Sequence, residues 1–401
     1  EGVKGKTLGE VDTSRQFDRT LKSDKITGIA GDVVEQSVFG YERDSDQECD
    51  IEIDGVLTEL KTTGVRVPKS LLKNARGKTG AAYNVFLGAK EGITITNVTF
   101  EPTIQTVFDT SHFWEKSQHL LIVFYEYRSY EVVPASGYKS FPIVDYCYNS
   151  FSSDEKAKLQ NDWEIVRDYL QAVYDECHDT CERNERLVGF THVLRPQLLL
   201  IELVPGFKRR ASGNYQRPRY KLKKTFVDYI VRGHFDKSRA CSEIVLKEPF
   251  SSFAQLDARC HALTLLYKGK TLQELKQELG IDGAMKNVAA QCVIRMFGTS
   301  CKRLNQISDF TKAGIIAKTI TITPRDGRTE DMKLSHIDFE EWADRDADFE
   351  DSEVYSYFCE HSFLCPVFCE HDVKDPDKTT FEGFKRFAFD EEFIETEVRR
   401  T

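Results

Sequence analysis

The chain has 401 residues, of which 40% are hydrophobic and 11% aromatic. This is enough apolar material for two or three folded domains, and it excludes a disordered tail or a small disulfide-stabilised module. The formal net charge of −10 argues, taken over the whole chain, against a nucleic-acid partner, but the charges are unevenly placed along the sequence.

The first element of interest is a predicted helix at residues 31–40. Its apolar residues recur at helical spacing, and the segment ends in Gly40, a common helix stop. Glu35 lies beside the apolar stripe of this helix. The pattern therefore predicts a short helix that carries one acidic side chain at the edge of its buried face.

A β-hairpin is predicted next, at residues 50–61. Apolar and polar residues alternate there around Asp54-Gly55, and Asp-Gly is the strongest short-range signal for a hairpin. A two-residue turn at this pair places Asp50 directly opposite Glu59, with their Cβ atoms roughly 5 Å apart. Because side chains alternate along a strand, Lys61 shares the face of Glu59.

Two carboxylates and a lysine on one face suit metal-assisted hydrolysis of a phosphodiester. Mg²⁺ prefers carboxylate oxygens, and like charges opposite one another on paired strands call for a cation. Asp50 and Glu59 are the predicted ligands, and Lys61 is predicted to orient water or neutralise charge. Glu52 lies on the same face as Asp50, so it remains an alternative first ligand.

Strands and helices alternate through the rest of the first 240 residues, which predicts an α/β fold. The expected strands are residues 120–124 and 198–204, and the expected helices are residues 161–173 and 222–231. We place a domain boundary at residues 239–249, which gives two domains, 1–240 and 241–401.

A basic segment precedes the last of these helices. Between Lys208 and Lys224 there are eight Lys or Arg residues and no acid. Each cation that neutralises a phosphate releases counterions, so this segment is a candidate DNA-binding surface, with a solvated loop as the alternative. The candidate contacts are Arg217, Arg219, Lys221, Lys223 and Lys224.

The second half of the chain repeats part of this pattern. A predicted helix ends at Gly298, as the earlier one ends at Gly40. Lys318 lies 20 residues after Gly298, and Lys61 lies 21 residues after Gly40. Asp309 begins the segment that parallels the hairpin, and Ile316 stands where Glu59 stood. We interpret this as a degenerate internal duplication that keeps the fold and loses the metal chemistry, with chance similarity as the alternative.

Several of these segments resemble MutH, the strand-nicking mismatch-repair endonuclease, and the two-domain type II restriction endonucleases related to it that cut at GATC. The segments that carry the resemblance are Gly31-x3-Glu35, Asp50…Glu59-Leu60-Lys61-Thr62, Ser111-His112…Lys116 and Leu222-Lys223-Lys224-Thr225-Phe226. One departure is that eight residues separate Asp50 from Glu59, where the family commonly has six.

The resemblance implies a PD-(D/E)xK nuclease fold, a mixed sheet flanked by helices, followed by a second copy that binds DNA as an allosteric domain. It implies that Asp50 and Glu59 hold Mg²⁺ and that Lys61 contacts the attacking water. Glu35 would be a further acidic member of the site, and Lys116 a second active-site lysine. Arg195, in a segment similar to an Arg-Pro-Lys reading element, would contact guanine.

The sequence as a whole predicts a type II restriction endonuclease that hydrolyses double-stranded DNA at GATC with Mg²⁺. A MutH-like nickase and a non-cleaving DNA-binding regulator are the alternatives. Because one chain carries one site, cutting both strands requires self-association on DNA or successive cuts. We also expect a cytoplasmic chain without a membrane span, with its eleven cysteines reduced and its C-terminal domain incomplete.

Overall fold

The structure is a computed structural model. It describes residues 2–23, 26, 28–41, 49–208, 215–240, 244–281, 287–325, 327–329, 331–334, 349 and 352–400.

The chain divides into two compact units. Unit 1 comprises residues 1–156, 163–191 and 201–240, and unit 2 comprises residues 157–162, 192–200 and 241–401. All residues from 241 onwards thus belong to unit 2, together with two short segments from earlier in the chain. The functions assigned to the two domains stay predictions.

Fourteen strands are found among the described residues. They are β1 (Ile51–Ile53), β2 (Val56–Arg66), β3 (Gly88–Ala89), β4 (Ile93–Asn97), β5 (His119–Glu126), β6 (Ile143–Ser150), β7 (Ile201–Val204), β8 (Phe207–Lys208), β9 (Tyr215–Gln216), β10 (Arg219–Leu222), β11 (Ile315–Ala317), β12 (Ile320–Ile322), β13 (Ser362–Cys369) and β14 (Thr380–Phe387).

The helices of the described residues alternate with these strands. They are α1 (Leu8–Val11), α2 (Ile29–Val33), α3 (Leu72–Ala75), α4 (Ala81–Asn84), α5 (Phe100–Ile104), α6 (His112–Ser117), α7 (Ser153–Glu176), α8 (Thr180–Gly189), α9 (Thr191–Leu194), α10 (Lys224–Phe235), α11 (Lys237–Ala240), α12 (Phe253–Tyr267), α13 (Leu272–Glu278), α14 (Val288–Met296), α15 (Ser308–Lys312), α16 (Glu353–Cys359) and α17 (Glu391–Phe393).

The main sheet of unit 1 is mixed, with the strand order β1-β2-β5-β6 and β3 paired to β2. The long strand β2 runs parallel to β5, and β5 runs antiparallel to β6. Strand β5 is almost wholly buried, which is why its sequence is a continuous apolar run rather than an alternating one. The predicted α/β class is confirmed by this arrangement of mixed sheets and helices.

A smaller antiparallel sheet of unit 1 has the order β4-β10-β7. Strand β10 lies between the other two and pairs Arg219 with Asn97 on one side and with Val204 on the other. The basic segment of the sequence therefore passes through a sheet at β10 and ends at the start of α10. This sheet positions one wall of the cavity described below.

The sheet of unit 2 has β13 as its centre. Strands β11 and β12 both run parallel to β13, and β14 runs antiparallel to it. The predicted parallel between residues 309–319 and the hairpin is wrong in detail, because Ser308–Lys312 is the helix α15. No Asp-Gly or Asn-Gly pair interrupts this segment; instead Gly314, with φ +66°, closes the helix before β11.

The other predicted elements agree with the structure except at their ends. The helix predicted at 161–173 lies within the longer α7, whose start is fixed by the Ser152–Glu155 capping box. The helix predicted at 222–231 begins at Lys224, because Leu222 still belongs to β10. No helix of the described residues is long and apolar enough to cross a membrane. The ten cysteines of the described residues are all free thiols.

Candidate active site

The hairpin that carries the predicted carboxylates is formed as its sequence indicates. Asp54 and Gly55 both have positive φ, 50° and 81°, as a two-residue hairpin turn requires. The paired residues next to the turn are Ile53 and Val56, and the register runs outward to Ile51 and Thr58. Asp50 is the next residue along this register, opposite Glu59.

Asp50 is held in place by the strand it faces. Its Oδ2 accepts a hydrogen bond of 2.9 Å from the backbone N–H of Leu60. Its Oδ1 lies 4.0 Å from Lys116 Nζ. The hydrogen bond from the strand fixes the orientation of this carboxylate, and the second oxygen stays on the side of the lysine.

Glu59 is the centre of the cluster and is only 2% exposed. Its Oε1 accepts from Lys61 Nζ at 2.6 Å, and its Oε2 lies 2.9 Å from Lys116 Nζ. Lys61 reaches it because residues two apart on a strand share a face. Lys116 reaches it from α6, the short helix that leads into β5. The two predicted lysines and both predicted carboxylates are thus brought together.

Glu35 joins the same electrostatic environment from a separate element. It lies on a single π-helical turn, Val34–Val38, which continues α2. Such turns are rare and frequently occur at functional sites. The predicted helix at 31–40 is therefore correct in place, but its second half is wider than an α-helix.

The charges of the site are not balanced. Burial and the negative charge of Asp50 raise the pKa of Glu35, and burial and the charge of Glu59 raise the pKa of Asp50. Burial alone would lower the pKa of Lys116, but its hydrogen bond to Glu59 and the nearby carboxylates raise it overall. With all five groups ionised, three carboxylates face two ammonium groups, which leaves one excess negative charge.

Glu52, the alternative first ligand, is placed away from this cluster. It is exposed and pairs with Leu57, two residues nearer the turn than the Asp50–Glu59 pair. Leu57 itself is 58% exposed, so this end of the hairpin projects from the protein. The structure brings Asp50, and not Glu52, to Glu59 and the lysines.

The cluster opens into a cavity of about 440 Å³. Its wall is formed by charged, hydroxyl and aromatic side chains of unit 1 alone. The lining residues are Glu59, Lys61, Thr94, Ile95, Thr96, Asn97, Thr99, Pro102, Thr103, Thr106, Ser111, His112, Phe113, Lys116, Trp163, Arg217, Arg219 and Tyr220.

The wall formed by β4 is the part of the site that the sequence reasoning missed. Ile93 and Ile95 are buried, whereas Thr94 and Thr96 alternate with them and line the cavity. Thr96 Oγ1 lies 3.0 Å from Nδ1 of His112, which also lines the cavity. The alternating pattern Ile-Thr-Ile-Thr was a signal for this strand.

The basic segment divides into residues that face the cavity and residues that do not. Arg217 and Arg219 line it. Lys221 forms an ion pair of 2.5 Å with Glu202, Lys223 is buried at 5% exposure, and Lys224 is half-buried at the start of α10. Of the predicted DNA contacts, the two arginines are therefore placed best, and residues 209–214 lie outside the described part of the chain.

Arg195, the predicted guanine contact, is placed elsewhere. It belongs to unit 2, where its guanidinium donates to the backbone carbonyls of Cys359, at 3.1 Å, and Phe389. These bonds tie segments of unit 2 together. The structure gives Arg195 a structural role and does not bring it to the cavity.

The predicted remnant of a second site is also dispersed. Asp309 is 2% exposed and pairs at 3.0 Å with Lys158, which is fully buried. Ile316 lies half-buried in β11, and Lys318 Nζ donates to the carbonyl of Lys333 at 2.5 Å. These three residues do not form a counterpart of the Asp50–Glu59 cluster, because the hairpin that would align them is replaced by α15.

The donor set of the first site fits Mg²⁺. Within the described residues no three Asp, Glu, His or Cys side chains form a ready-made metal site. Mg²⁺ does not require one, because it is commonly held by one or two carboxylates, with waters and phosphate oxygens completing the shell. Asp50 and Glu59 supply those carboxylates, and the excess negative charge favours a cation.

Two comparisons with known proteins bear on this geometry. Residues 39–162 match the family model of MutH, described as DNA mismatch repair enzyme MutH. The matched region includes the hairpin, Lys61 and Lys116. Over 385 residues the chain is 25% identical to the type II restriction enzyme Sau3AI of Staphylococcus aureus, in an alignment that covers 90% of this chain and 70% of that enzyme.

These similarities confirm the resemblance found in the sequence. The chain is related to MutH and to a type II restriction enzyme, and the MutH match implies the PD-(D/E)xK nuclease fold for the region it covers. The predicted enzyme class, a site-specific deoxyribonuclease, is confirmed as well.

Proposed function

We propose that the chain is a type II restriction endonuclease that hydrolyses double-stranded DNA at GATC with Mg²⁺. The observation that carries the proposal is the meeting of Asp50, Glu59, Lys61 and Lys116 at a cavity that Arg217 and Arg219 also line. Carboxylates, lysines and arginines in one cavity are the groups that phosphodiester hydrolysis requires. The target sequence rests on the resemblance to GATC-cutting restriction endonucleases.

Asp50 and Glu59 are the residues that would hold the metal. When bound there, Mg²⁺ lowers the pKa of a coordinated water and stabilises the charge that builds up on the phosphate. The hydrogen bond from Leu60 N–H orients Asp50, and the two lysines orient Glu59. Both carboxylates are thus held in fixed orientations by groups of the protein itself.

Lys61 is the residue that would contact the reacting groups directly. Its ammonium is held by Glu59 Oε1 and faces the cavity, where it can donate to the attacking water or to a non-bridging phosphate oxygen. In the reaction the water oxygen bonds to phosphorus while the bond from phosphorus to the leaving oxygen breaks. A fixed positive charge stabilises the additional negative charge of that transition state.

Lys116 acts on Glu59 and Asp50 rather than on the DNA. It is 8% exposed, and its ammonium lies against both carboxylates. It thereby offsets the repulsion between these two carboxylates, as the raised pKa of Lys116 indicates. Lys116 is a positioning residue in this proposal.

Unit 2 is proposed to be a degenerate nuclease-like copy that binds DNA. In unit 1 β2 is parallel to β5 and β5 is antiparallel to β6; in unit 2 β11 and β12 are parallel to β13 and β13 is antiparallel to β14. This shared order supports a common origin. The absence of the hairpin carboxylates from the described residues of unit 2 supports a role without catalysis.

The direct test is incubation of the purified chain with supercoiled, unmethylated plasmid in Mg²⁺ or in EDTA. The proposal expects discrete linear fragments in Mg²⁺ alone, with ends that map to GATC. Nicked circles that are never linearised would instead support the MutH-like nickase. Intact plasmid with retained DNA binding would contradict catalysis and support the non-cleaving regulator.

A concentration series of the same reaction addresses self-association. One chain carries one active site, and a palindrome has two strands to cut. If two chains assemble on DNA, the rate of double-strand cutting rises more steeply than the first power of enzyme concentration. If each strand is cut in turn, nicked circles accumulate first and the rate stays proportional to concentration.

A further inference from the structure

A second basic surface lies on unit 1, apart from residues 215–224. No Asp or Glu occurs between Lys61 and Glu91, although the whole chain has a net charge of −10. The cations of this stretch are Arg66, Lys69, Lys73, Arg76, Lys78 and Lys90. We call residues 66–78 the basic arm.

The basic arm leaves the sheet at the far end of the strand that carries the active-site residues. Lys61 and Arg66 are five residues apart on β2, a separation of about 17 Å along the strand. The chain returns at β3, where Gly88 pairs with Arg66. Both ends of the excursion are therefore anchored on the main sheet, at a fixed distance from Lys61.

The base of the arm is ordered by an aromatic side chain. The Arg66 guanidinium lies 5.2 Å and the Lys69 ammonium 5.6 Å from the centre of the Tyr130 ring. Tyr130 Oη in turn donates to the carbonyl of Val67 at 2.6 Å. Cation–π contacts of this kind hold the two cations in place at the base of the arm.

The outer part of the arm presents its charge to solvent. Lys73, Arg76 and Lys78 are exposed, and none forms an ion pair within the part of the chain that the structure describes. Three uncompensated cations close together repel one another, so the arrangement is expected to favour an anionic partner. No large exposed aromatic side chain lies among residues 69–78, which argues against the stacking of unpaired bases.

We propose that the basic arm binds the phosphodiester backbone of the DNA duplex, at phosphates other than the one that is cut. The inference rests on the proposed function, because the position of the cut phosphate is taken from the active site. Backbone contacts of this kind set the position of the duplex and carry no sequence information.

The test compares two triple variants in DNA binding, measured in EDTA so that the DNA stays intact. One is Lys73→Gln, Arg76→Gln, Lys78→Gln. The control is Lys6→Gln, Arg15→Gln, Lys22→Gln, which also removes three exposed cations and brings the net charge to −13 (−10 − 3), but in a segment with interspersed acids. Unchanged far-ultraviolet circular dichroism and melting temperature verify that both variants are folded.

The expected result is a change in the salt dependence of binding for the arm variant alone. Loss of three phosphate contacts reduces the slope of log K against log[salt] by about 2.7. When the salt concentration is raised from 50 to 200 mM, the factor by which the arm variant loses affinity should therefore be about 40 times smaller than the factor for the parent. Ethylation interference should reveal phosphates, other than the one that is cut, whose modification weakens binding by the parent and leaves binding by the arm variant unaffected.

Each other outcome is decisive. A parent that binds no DNA refutes both the inference and the proposed function. A parent that binds and cuts DNA, with an arm variant of unchanged slope, refutes the inference alone. Equal loss of slope in the arm and control variants shows a general charge effect, and it too overturns the assignment.

Discussion

Glu59→Gln is the substitution that examines the active site most directly. The side chain keeps its size but loses its charge, so two ammonium groups lose their closest partner. Removing one member of a buried ion pair costs about 3 to 5 kcal/mol. Because the Lys61 side chain is 20% exposed and Asp50 still lies 4.0 Å from Lys116, we expect the lower end, about 3 kcal/mol.

The expected effect on catalysis is larger than the effect on folding would explain. Loss of a metal ligand should cost about 4 kcal/mol of transition-state stabilisation, which is about a 10³-fold slower single-turnover cleavage at saturating Mg²⁺. DNA binding in EDTA should be retained, since the proposed role of Glu59 is to hold the metal and not to contact the duplex. Urea unfolding without Mg²⁺ measures the stability, and cleavage of a short duplex measures the rate.

Asp309→Asn is the matched control for destabilisation. Asp309 is as buried as Glu59 and also pairs with a buried lysine, but it belongs to unit 2. It should lose a similar stability, about 3 kcal/mol, and retain cleavage at temperatures where it is folded. Full activity of Glu59→Gln, or an equal loss of activity in both variants under folding conditions, would refute the active-site assignment.

Three further predictions concern the neighbours of Glu59. Asp50→Ala should be inactive and Glu52→Ala active in plasmid cleavage, because only Asp50 is brought to the cluster; the reverse result would mean that the hairpin register is wrong. Arg217→Gln together with Arg219→Gln should weaken DNA binding and reduce the slope of log K against log[salt] by about 1.8. Lys223→Gln, at a buried position, should instead lower the melting temperature. The Mg²⁺ concentration for half-maximal cleavage should rise on acidification, starting at a higher pH than for an ordinary aspartate ligand, because burial and a neighbouring glutamate raise the pKa of Asp50 and protons then compete with the metal. A Mg²⁺ requirement that does not change on acidification would contradict this.

The core of the site was predictable because its information is local. The Asp54-Gly55 turn fixes the register of the hairpin, and the register places Asp50 opposite Glu59 with Lys61 on the same face. Only short-range rules are involved, namely positive φ in the turn and alternation along a strand. Lys116 came instead from the resemblance, since nothing in the spacing of residues 61 and 116 indicates that they meet.

The remaining features depend on long-range packing, which periodicity does not encode. Arg195 is a cation in a plausible position in the sequence, but the carbonyls that bind it belong to residues 359 and 389. Lys223 belongs to a basic segment that looks solvated, yet it is buried at the junction of β10 and α10. In both cases the tertiary environment decides whether a positive charge is free for DNA.

The balance of charge in the active-site cluster of unit 1, set beside the paired buried charges of unit 2, gives a physical reason why one unit would take a metal and the other would not. In unit 1 Asp50, Glu59 and Glu35 face Lys61 and Lys116, so a cation relieves an excess of one negative charge.

Among the described residues of unit 2 the buried charged groups are Asp162, Asp309, Lys158 and Lys312, two of each sign. Asp162 accepts from two backbone N–H groups, those of Leu199 and Leu200, and Asp309 pairs with Lys158, so both carboxylates have partners without a metal. A buried carboxylate facing a buried lysine occurs in both units, but among the described residues unit 1 adds two further carboxylates and one further lysine, and the resulting excess of one negative charge favours a divalent cation. Mg²⁺ should accordingly raise the melting temperature of the parent chain, and this increase should disappear in Glu59→Gln but persist in Asp309→Asn.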